Sequence, residues 1–156
     1  MRLNDSKKLT EARREELFEQ IVATAHVSLA SASPATIDAV NIRTATLSAM
    51  VRAVNHLPLV PDYVLVDGRD VPHGLKQAGQ ALIKGDGRCL CVAAASIVAK
   101  VTRDRMMVHL DARFPDYGFA QHKGYGVPQH QTALERHGPT VHHRLSFKPV
   151  RLAAGS

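Results

Sequence analysis

The sequence predicts an α/β fold in one domain. Segments with helical spacing alternate along the chain with short apolar runs that have the length and the β-branched content of buried strands. The chain has 156 residues, of which 45% are hydrophobic, enough to form a domain with its own core. No apolar run reaches 18 residues, so we expect no membrane-spanning helix.

Capping residues, prolines and glycines indicate where the helices begin and end. Ser/Thr caps and proline at the first helical position are typical starts, and glycine or proline is a typical stop. Thr10 and Ser33 are the predicted caps, and Pro115 and Gly138 the predicted stops. The predicted helices are residues 11–23, 34 to about 56, 92–114 and 128–137.

Three short segments are predicted to be strands. Residues 27–32 alternate apolar and small polar side chains, as a half-buried strand does. Residues 63–67 and 81–86 are mostly apolar runs, which is typical of buried strands.

The last two predicted strands each end in an aspartate, Asp67 and Asp86. If these strands are neighbours in one sheet, the carboxylates lie about 5 Å apart, the usual spacing between strands. Two carboxylates at that distance can share divalent metal ions. The alternative is turn chemistry, because Asp-Gly is a favoured turn dipeptide. On these residues alone both interpretations stay open.

The positive charge is concentrated in the second half of the chain. The net charge is +6, and residues 79–156 carry the whole excess of Lys and Arg over Asp and Glu. A basic half of this kind favours a polyanionic partner, with nucleic acid as the first candidate. Part of the excess surrounds the predicted carboxylate pair in the sequence, where we expect some of the residues to contact phosphates. The surrounding residues are Lys84, Arg88, Lys100, Arg103 and Lys123. Arg103 has the alternative of a structural pair with Asp104.

The two cysteines, Cys89 and Cys91, are separated by one residue. In a strand such a pair points to opposite faces, so we expect no disulfide between them and two reduced thiols. Reduced thiols are typical of a cytoplasmic protein. The charged segment from Arg2 to Glu19 also predicts that no secretory signal is present.

Seven motifs in order give the chain its resemblance to a known family. They closely resemble those of bacterial ribonuclease HII, and the resemblance covers nearly the whole chain. The motifs are residues 4–9 (NDSKKL), 63–68 (YVLVDG), 84–86 (KGD), 94–104 (AASIVAKVTRD), 117–119 (YGF), 122–126 (HKGYG) and 143–147 (HRLSF).

The resemblance implies a ribonuclease H-like fold, with a central mixed sheet flanked by helices. It implies a catalytic domain over residues 1–150, followed by a flexible tail, residues 151–156. The implied activity is an endonuclease that cuts the RNA strand of RNA–DNA hybrids and nicks duplex DNA at embedded ribonucleotides. The implied cofactors are two Mg²⁺ or Mn²⁺ ions. We expect a monomeric cytoplasmic protein that acts in DNA replication and repair.

The resemblance also assigns roles to individual residues. Asp67 and Asp86 match two of the family's four metal-binding carboxylates, and they are the implied catalytic residues. Tyr125 matches the tyrosine that packs against the sugar at the RNA–DNA junction. Ser6 and Lys7 match positions near the nucleic-acid backbone.

The sequence departs from the family at one place. The family's first strand carries adjacent Asp and Glu followed by a Gly-Arg-Gly loop, and neither pattern occurs in this chain. In the family both precede the Asp-Ser-Lys motif. We therefore expect the chain to correspond to about the last three-quarters of a family member, with two of the four carboxylates absent. Incomplete gene calling, a wrong start at Met1 and a degenerate copy would each explain this.

Three functional hypotheses follow. The first is an active ribonuclease HII. The second is a catalytically inactive nucleic-acid-binding remnant of the same family. The third is another nuclease of the same superfold, such as a junction resolvase.

Overall fold

The fold is known from a computed structural model that describes residues 9–155. These residues divide into two compact units. The first unit lies within Met1–Ser31 and Thr46–Thr102, and the second within Ala32–Ala45 and Arg103–Ser156. The helices in the described part of the chain are α1 (Glu11–Thr24), α2 (Pro34–Val40), α3 (Ile42–Asn55), α4 (Leu90–Arg113), α5 (Phe119–His122), α6 (Pro128–His137) and α7 (Lys148–Ala153).

The strands are β1 (Tyr63–Asp67) and β2 (Ala78–Leu82), which pair in parallel within the first unit. Asp67 is the register partner of Leu82. The close approach of the two strands depends on Gly79, where a Cβ atom would lie 3.0 Å from the carbonyl oxygen of Val64. The two strands that were predicted to be adjacent in one sheet are therefore adjacent, but the second strand ends four residues earlier than expected.

The core of the first unit lies between α1 and α4. Leu17 and Ile21 of α1 pack against Ile97, Val98 and Val101 of α4, and Leu17 and Ile97 are fully buried. The spacing of three to four residues places each set on one face of its helix, which is the face that burial favours.

Three helix predictions are confirmed in both type and position. The side chain of Thr10 accepts a hydrogen bond from the backbone N–H of Arg13, so α1 begins where the cap predicts. The long helix α4 ends two residues before Pro115. The helix α6 runs from Pro128 to His137 and stops at Gly138, which adopts a positive φ of 73°.

The predicted second helix is interrupted at Asn41. This residue has a φ of 68°, which a continuous helix cannot contain, and its side-chain oxygen accepts the N–H of Thr44 at 3.0 Å. Asn41 therefore ends α2 and caps α3, two roles that favour asparagine. The first half, α2, is capped by Ser33 as predicted.

Two other predictions are corrected. Residues 27–32 form no strand, because alternation alone does not make a strand without a partner, and β1 and β2 are the paired strands among the described residues. Residues 151–153 belong to α7, so the predicted boundary between domain and tail falls inside a helix. Val150, on the same helix, is buried in the core of the second unit.

Aromatic stacking builds the core of the second unit. Tyr117 stacks on Phe119 with ring centroids 5.2 Å apart, and Ala133 and Leu134 of α6 complete the cluster with Val150. The hydroxyl of Tyr117 donates to the carbonyl of Gly138 at 2.6 Å, so this buried polar group is satisfied.

A carboxylate joins two distant segments of the second unit. Asp38 on α2 accepts hydrogen bonds from the backbone N–H groups of Leu145 and Ser146 and from the Ser146 hydroxyl, at 2.6–3.0 Å. The hydroxyl donor is the main cause that lowers the pKa of Asp38, because it stabilises the ionised form.

In residues 9–155, no helix is both long and apolar enough to cross a bilayer.

Ile97 provides a test of the α1–α4 core. Ile97→Ala removes a fully buried side chain, so we expect the free energy of unfolding to fall by about 2–5 kcal/mol. Denaturant titration followed by circular dichroism measures this change. Val108→Ala, on an exposed position of α4, is the control and should cost little. Equal effects of the two substitutions would contradict the assignment of this core.

Candidate metal centre and nucleic-acid interface

The carboxylate of Asp67 lies at the carboxyl end of β1 and is fixed by the turn that follows β2. Its Oδ1 accepts a hydrogen bond from the backbone N–H of Gly85 at 2.9 Å. Gly85 begins a single 3₁₀ turn, Gly85–Gly87. One hydrogen bond therefore connects the first predicted metal ligand to the residue directly before the second, Asp86.

Gly85 cannot carry a side chain without a shift of its neighbours. A Cβ atom there would lie 3.1 Å from Leu82 Cβ and 3.1 Å from Val92 Cγ1, and 3.5 Å from the Asp67 carboxylate. The preceding residue, Lys84, adopts a left-handed conformation with φ of 55°, which turns the chain sharply after β2. Close packing thus explains why glycine stands between lysine and aspartate.

Asp86 lies in this turn and not at a strand end, which corrects the prediction. Its Oδ1 accepts the backbone N–H of Gly87 at 2.9 Å, so Asp86 stabilises the turn locally. The two interpretations left open by the sequence are therefore compatible. Asp86 has turn chemistry, and the same turn holds it at the edge of the sheet where Asp67 ends its strand.

The donor atoms of this pair fit a hard divalent cation. Both side chains offer carboxylate oxygens, which Mg²⁺ and Mn²⁺ prefer, and each uses its Oδ1 atom for the hydrogen bond just described. Within residues 9–155, no group of three or more His, Cys, Asp or Glu side chains is arranged to hold a metal ion. The metal-binding role of Asp67 and Asp86 therefore stays a prediction that rests on these two carboxylates.

The predicted phosphate-binding residues of the first unit differ in exposure. Lys84 and Arg88 flank the turn and are exposed, and the Arg88 guanidinium lies 3.4 Å from the carbonyl of Ile83. Lys100 is half-buried on α4. Ser6 and Lys7 lie outside the described residues.

The expectation that Cys89 and Cys91 point apart is wrong. They lie at the start of α4, not in a strand, and their sulfur atoms are 3.3 Å apart. The S–H of Cys91 and nearby backbone N–H groups lower the pKa of the Cys89 thiol, and burial raises that of Cys91. Both thiols are free.

Tyr125, in the second unit, presents an exposed ring on a well-bonded backbone. Its N–H donates to the carbonyl of His122, and its own carbonyl accepts from the N–H of Val127 and from Nδ1 of His130. The exposed fraction of Tyr125 is 57%, high for an aromatic residue with so many backbone contacts. An aromatic face held in this way can stack against a sugar or a base.

Arg103 contacts the loop of residues 123–126, which carries Tyr125. Its Nη1 donates to the carbonyl of Lys123 at 2.7 Å, and its guanidinium lies 5.3 Å from the centroid of the Tyr125 ring. It also lies 3.9 Å from the carboxylate of the buried Asp104. Arg103 therefore orients the loop, while Lys123, predicted to contact phosphate, donates from its ammonium group to the carbonyl of Ala120.

Three buried histidines, His122, His130 and His143, surround this loop, and sequence reasoning missed their connection. The rings of His122 and His130 stack 4.5 Å apart, and Nε2 of His130 lies 3.2 Å from Nε2 of His143. His122 and His143 each open a motif, at residues 122–126 and 143–147, but nothing in the sequence connects them to each other or to His130. His142, in contrast, is exposed and contacts the edge of Phe114.

Burial lowers the pKa of two of these histidines and so favours their neutral form. It is the main cause that lowers the pKa of His143, to about 4, and the nearby His130 contributes next. Burial likewise lowers the pKa of His130. A neutral imidazole can donate from one nitrogen and accept at the other, and this pairing depends on that state.

Solved structures define the class of protein. The fold matches the ribonuclease H2 of Pyrococcus horikoshii with a TM-score of 0.79 and 25% sequence identity, over 97% of this chain and 79% of that one. It also matches the structure of the PCNA:RNase HII complex from Archaeoglobus fulgidus, with a TM-score of 0.63 and 28% identity over 90% and 75%. The chain thus has a ribonuclease H-like fold.

Sequence comparison gives the family. The profile of ribonuclease HII matches residues 1–150. The ribonuclease HII of Rhizobium johnstonii is 60% identical over 149 residues, and that of Magnetococcus marinus is 54% identical over 151, each covering 96% of this chain. This chain belongs to the ribonuclease HII family. It spans 65% of the length of the Rhizobium relative and 71% of the Magnetococcus one.

Gly85 provides a test of the carboxylate geometry. Gly85→Ala forces a Cβ atom against Leu82 and Val92, so we expect a loss of about 1–3 kcal/mol in the free energy of unfolding and weaker Mn²⁺ binding. Denaturant titration and calorimetric Mn²⁺ titration measure these effects. Gly87→Ala is the matched control, because a Cβ atom there meets nothing within 4 Å. Similar losses in both variants would exclude the steric explanation.

The histidine cluster predicts a pH dependence of stability. Between the ordinary pKa of 6.5 and the folded value of about 4, His143 takes up a proton more readily in the unfolded chain. The contribution of neutral His143 to the free energy of unfolding is therefore complete above pH 6.5 and is lost as the pH falls toward 4. Denaturant titrations from pH 7.5 to 4.5 should show a shallower decline for His143→Asn than for the wild type. Parallel curves would contradict this assignment. His142→Gln is the exposed control.

Proposed function

We propose that the protein is an endonuclease that hydrolyses the RNA strand of RNA–DNA hybrids and nicks duplex DNA at embedded ribonucleotides. The observation that carries the proposal is the hydrogen bond from Gly85 to Asp67, which holds two carboxylates at one sheet edge in a ribonuclease HII family member. Two Mg²⁺ or Mn²⁺ ions are the proposed cofactors. Because the chain spans 65% of its Rhizobium relative, the proposal concerns the whole protein's activity.

Asp67 and Asp86 would hold the metal. When bound, divalent ions activate a water molecule and stabilise the leaving oxygen of a phosphodiester. Asp67 contributes a carboxylate whose orientation is fixed by the hydrogen bond from the N–H of Gly85 to its Oδ1 atom. Asp86 is oriented in the same manner by Gly87. A ligand held by such outer contacts loses little conformational entropy when an ion binds.

The nucleic acid would be bound by charge and recognised by an aromatic ring. The exposed Lys84 and Arg88 flank the carboxylate turn and are suited to phosphate oxygens. Tyr125 supplies a fixed aromatic face, suited to packing against the sugar at an RNA–DNA junction. Contact with the ribose is the general means by which proteins distinguish RNA from DNA.

A second candidate is a nucleic-acid-binding protein that does not cleave. It is favoured by one observation, namely that residues 9–155 contain no group of three or more metal-ligating side chains. Two carboxylates hold an ion less firmly than a fuller set does. The same basic residues and Tyr125 would serve either function, so cleavage must be measured directly.

Asp67→Asn distinguishes the two candidates. Asparagine can still accept the N–H of Gly85, so we expect the fold to persist, while the lost charge should lower Mg²⁺- or Mn²⁺-dependent cleavage by about 100-fold or more. The substrates are a labelled RNA–DNA hybrid and a duplex with one ribonucleotide. Asp62→Asn, an exposed substitution just before β1, is the control and should cleave normally.

The two candidate functions predict different results in this experiment. Cleavage by the wild type that survives Asp67→Asn would contradict the metal assignment. Tight binding of both substrates by the wild type without any cleavage, at saturating Mn²⁺, would support the non-cleaving candidate instead.

A further inference from the structure

The loop of residues 123–126, which carries Tyr125, is held by side chains from three sides. Arg103 binds the carbonyl of Lys123, and Nδ1 of His122 accepts the N–H of Gly124 at 3.1 Å. His130 binds the carbonyl of Tyr125 at 3.0 Å. The tyrosine ring is therefore exposed, while its backbone is fixed on both sides of the residue.

The donors and acceptors determine which nitrogen of each ring carries the proton. The N–H of Thr140 donates to Nδ1 of His143, so the proton of a neutral His143 lies on Nε2. That proton points to Nε2 of His130, so His130 carries its proton on Nδ1 and donates it to the carbonyl of Tyr125. A continuous series of hydrogen bonds thus runs from Thr140 through two imidazoles to the backbone of Tyr125.

We propose that His130 and His143 are positioning residues for ribose recognition, acting as a neutral imidazole pair that fixes the backbone of Tyr125. The proposal rests on the proposed function and deepens it, because it names the residues that set where the aromatic face stands. Neither imidazole would touch the nucleic acid, since both are buried, with 6% and 8% of their surface exposed.

The same contacts exclude a metal or phosphate role for these rings. Both nitrogens of His122 are occupied as well, by Gly124 and by the carbonyl of Tyr117. A second proton on His143 would point at the N–H of Thr140, which already donates to that nitrogen. The titratable neighbours His130, His142 and Arg144 each lower the pKa of His143, so none of them favours a positive charge there. The rings of Tyr117 and Phe119 also lie against His143, with ring centroids 5.4 Å and 5.6 Å away.

A matched pair of substitutions at His130 tests the proposal. In His130→Asn the amide nitrogen takes the place of Nδ1, so the donor to Tyr125 is kept. In His130→Gln the amide nitrogen takes the place of Nε2, so that donor is lost. The two variants remove the same ring and differ in the contact that the proposal requires.

The readout is binding preference, measured without divalent metal so that no strand is cut. The ratio of Kd values compares a labelled duplex containing one ribonucleotide with the all-DNA duplex of the same sequence. We expect Tyr125→Ala and His130→Gln to lower the wild-type preference by at least about fivefold. His130→Asn should keep the wild-type preference within about twofold.

Different results would contradict the proposed function and the positioning role of His130 and His143. A wild-type protein without any preference for the ribonucleotide would contradict the proposed function itself. A wild-type preference that survives His130→Gln, or that both variants lose equally, would overturn only the positioning role.

The tautomers provide a readout that needs no substrate. At pH 7, ¹⁵N NMR of the imidazoles should show the proton on Nδ1 of His130 and on Nε2 of His143. A cationic ring, or the opposite tautomers, would overturn the proposal regardless of any binding result.

Discussion

The hydrogen bond from Gly85 to Asp67 is the constraint on which the carboxylate pair depends. It requires a backbone N–H at the edge of the sheet and a residue without a side chain between Leu82 and Val92. Glycine alone satisfies both conditions without a shift in its neighbours. The position of Asp86 then follows, because it is the next residue in the same turn. The geometry of the pair is thus set by backbone packing more than by the carboxylates.

Tyr125 shows how a loop can present an aromatic ring on a fixed backbone. Functional residues often lie on loops, and fixing the backbone of a loop costs conformational entropy. Here the backbone of the loop is bound by Arg103, His122 and His130, and burial lowers the pKa of His130, which favours the neutral imidazole that can both donate and accept. A network of this kind stabilises the loop only while every member is satisfied. Acid conditions, which protonate imidazoles, therefore act against it.

Local chemistry predicted the parts of the fold that depend on neighbouring residues. Thr10, Ser33 and Gly138 marked helix ends correctly, because a cap satisfies backbone groups within three residues of itself. Asn41 has equally local chemistry, yet the interruption between α2 and α3 was missed, because asparagine also occurs inside helices. Residues 27–32 failed in a different way, since a strand requires a partner that no local pattern can supply.

The sequence by itself determined the ends of α1, α4 and α6, the uneven charge, the family and the two candidate carboxylates, because each is carried by residues close together in the chain. Tertiary structure decided what lies between distant segments. It brought Asp67 and Gly85 into contact, placed Cys89 and Cys91 at a helix start with their sulfurs together, and paired His130 with His143. Hydrogen bonds and burial of this kind depend on distances that close only when the chain folds, so no periodicity or motif in the sequence records them.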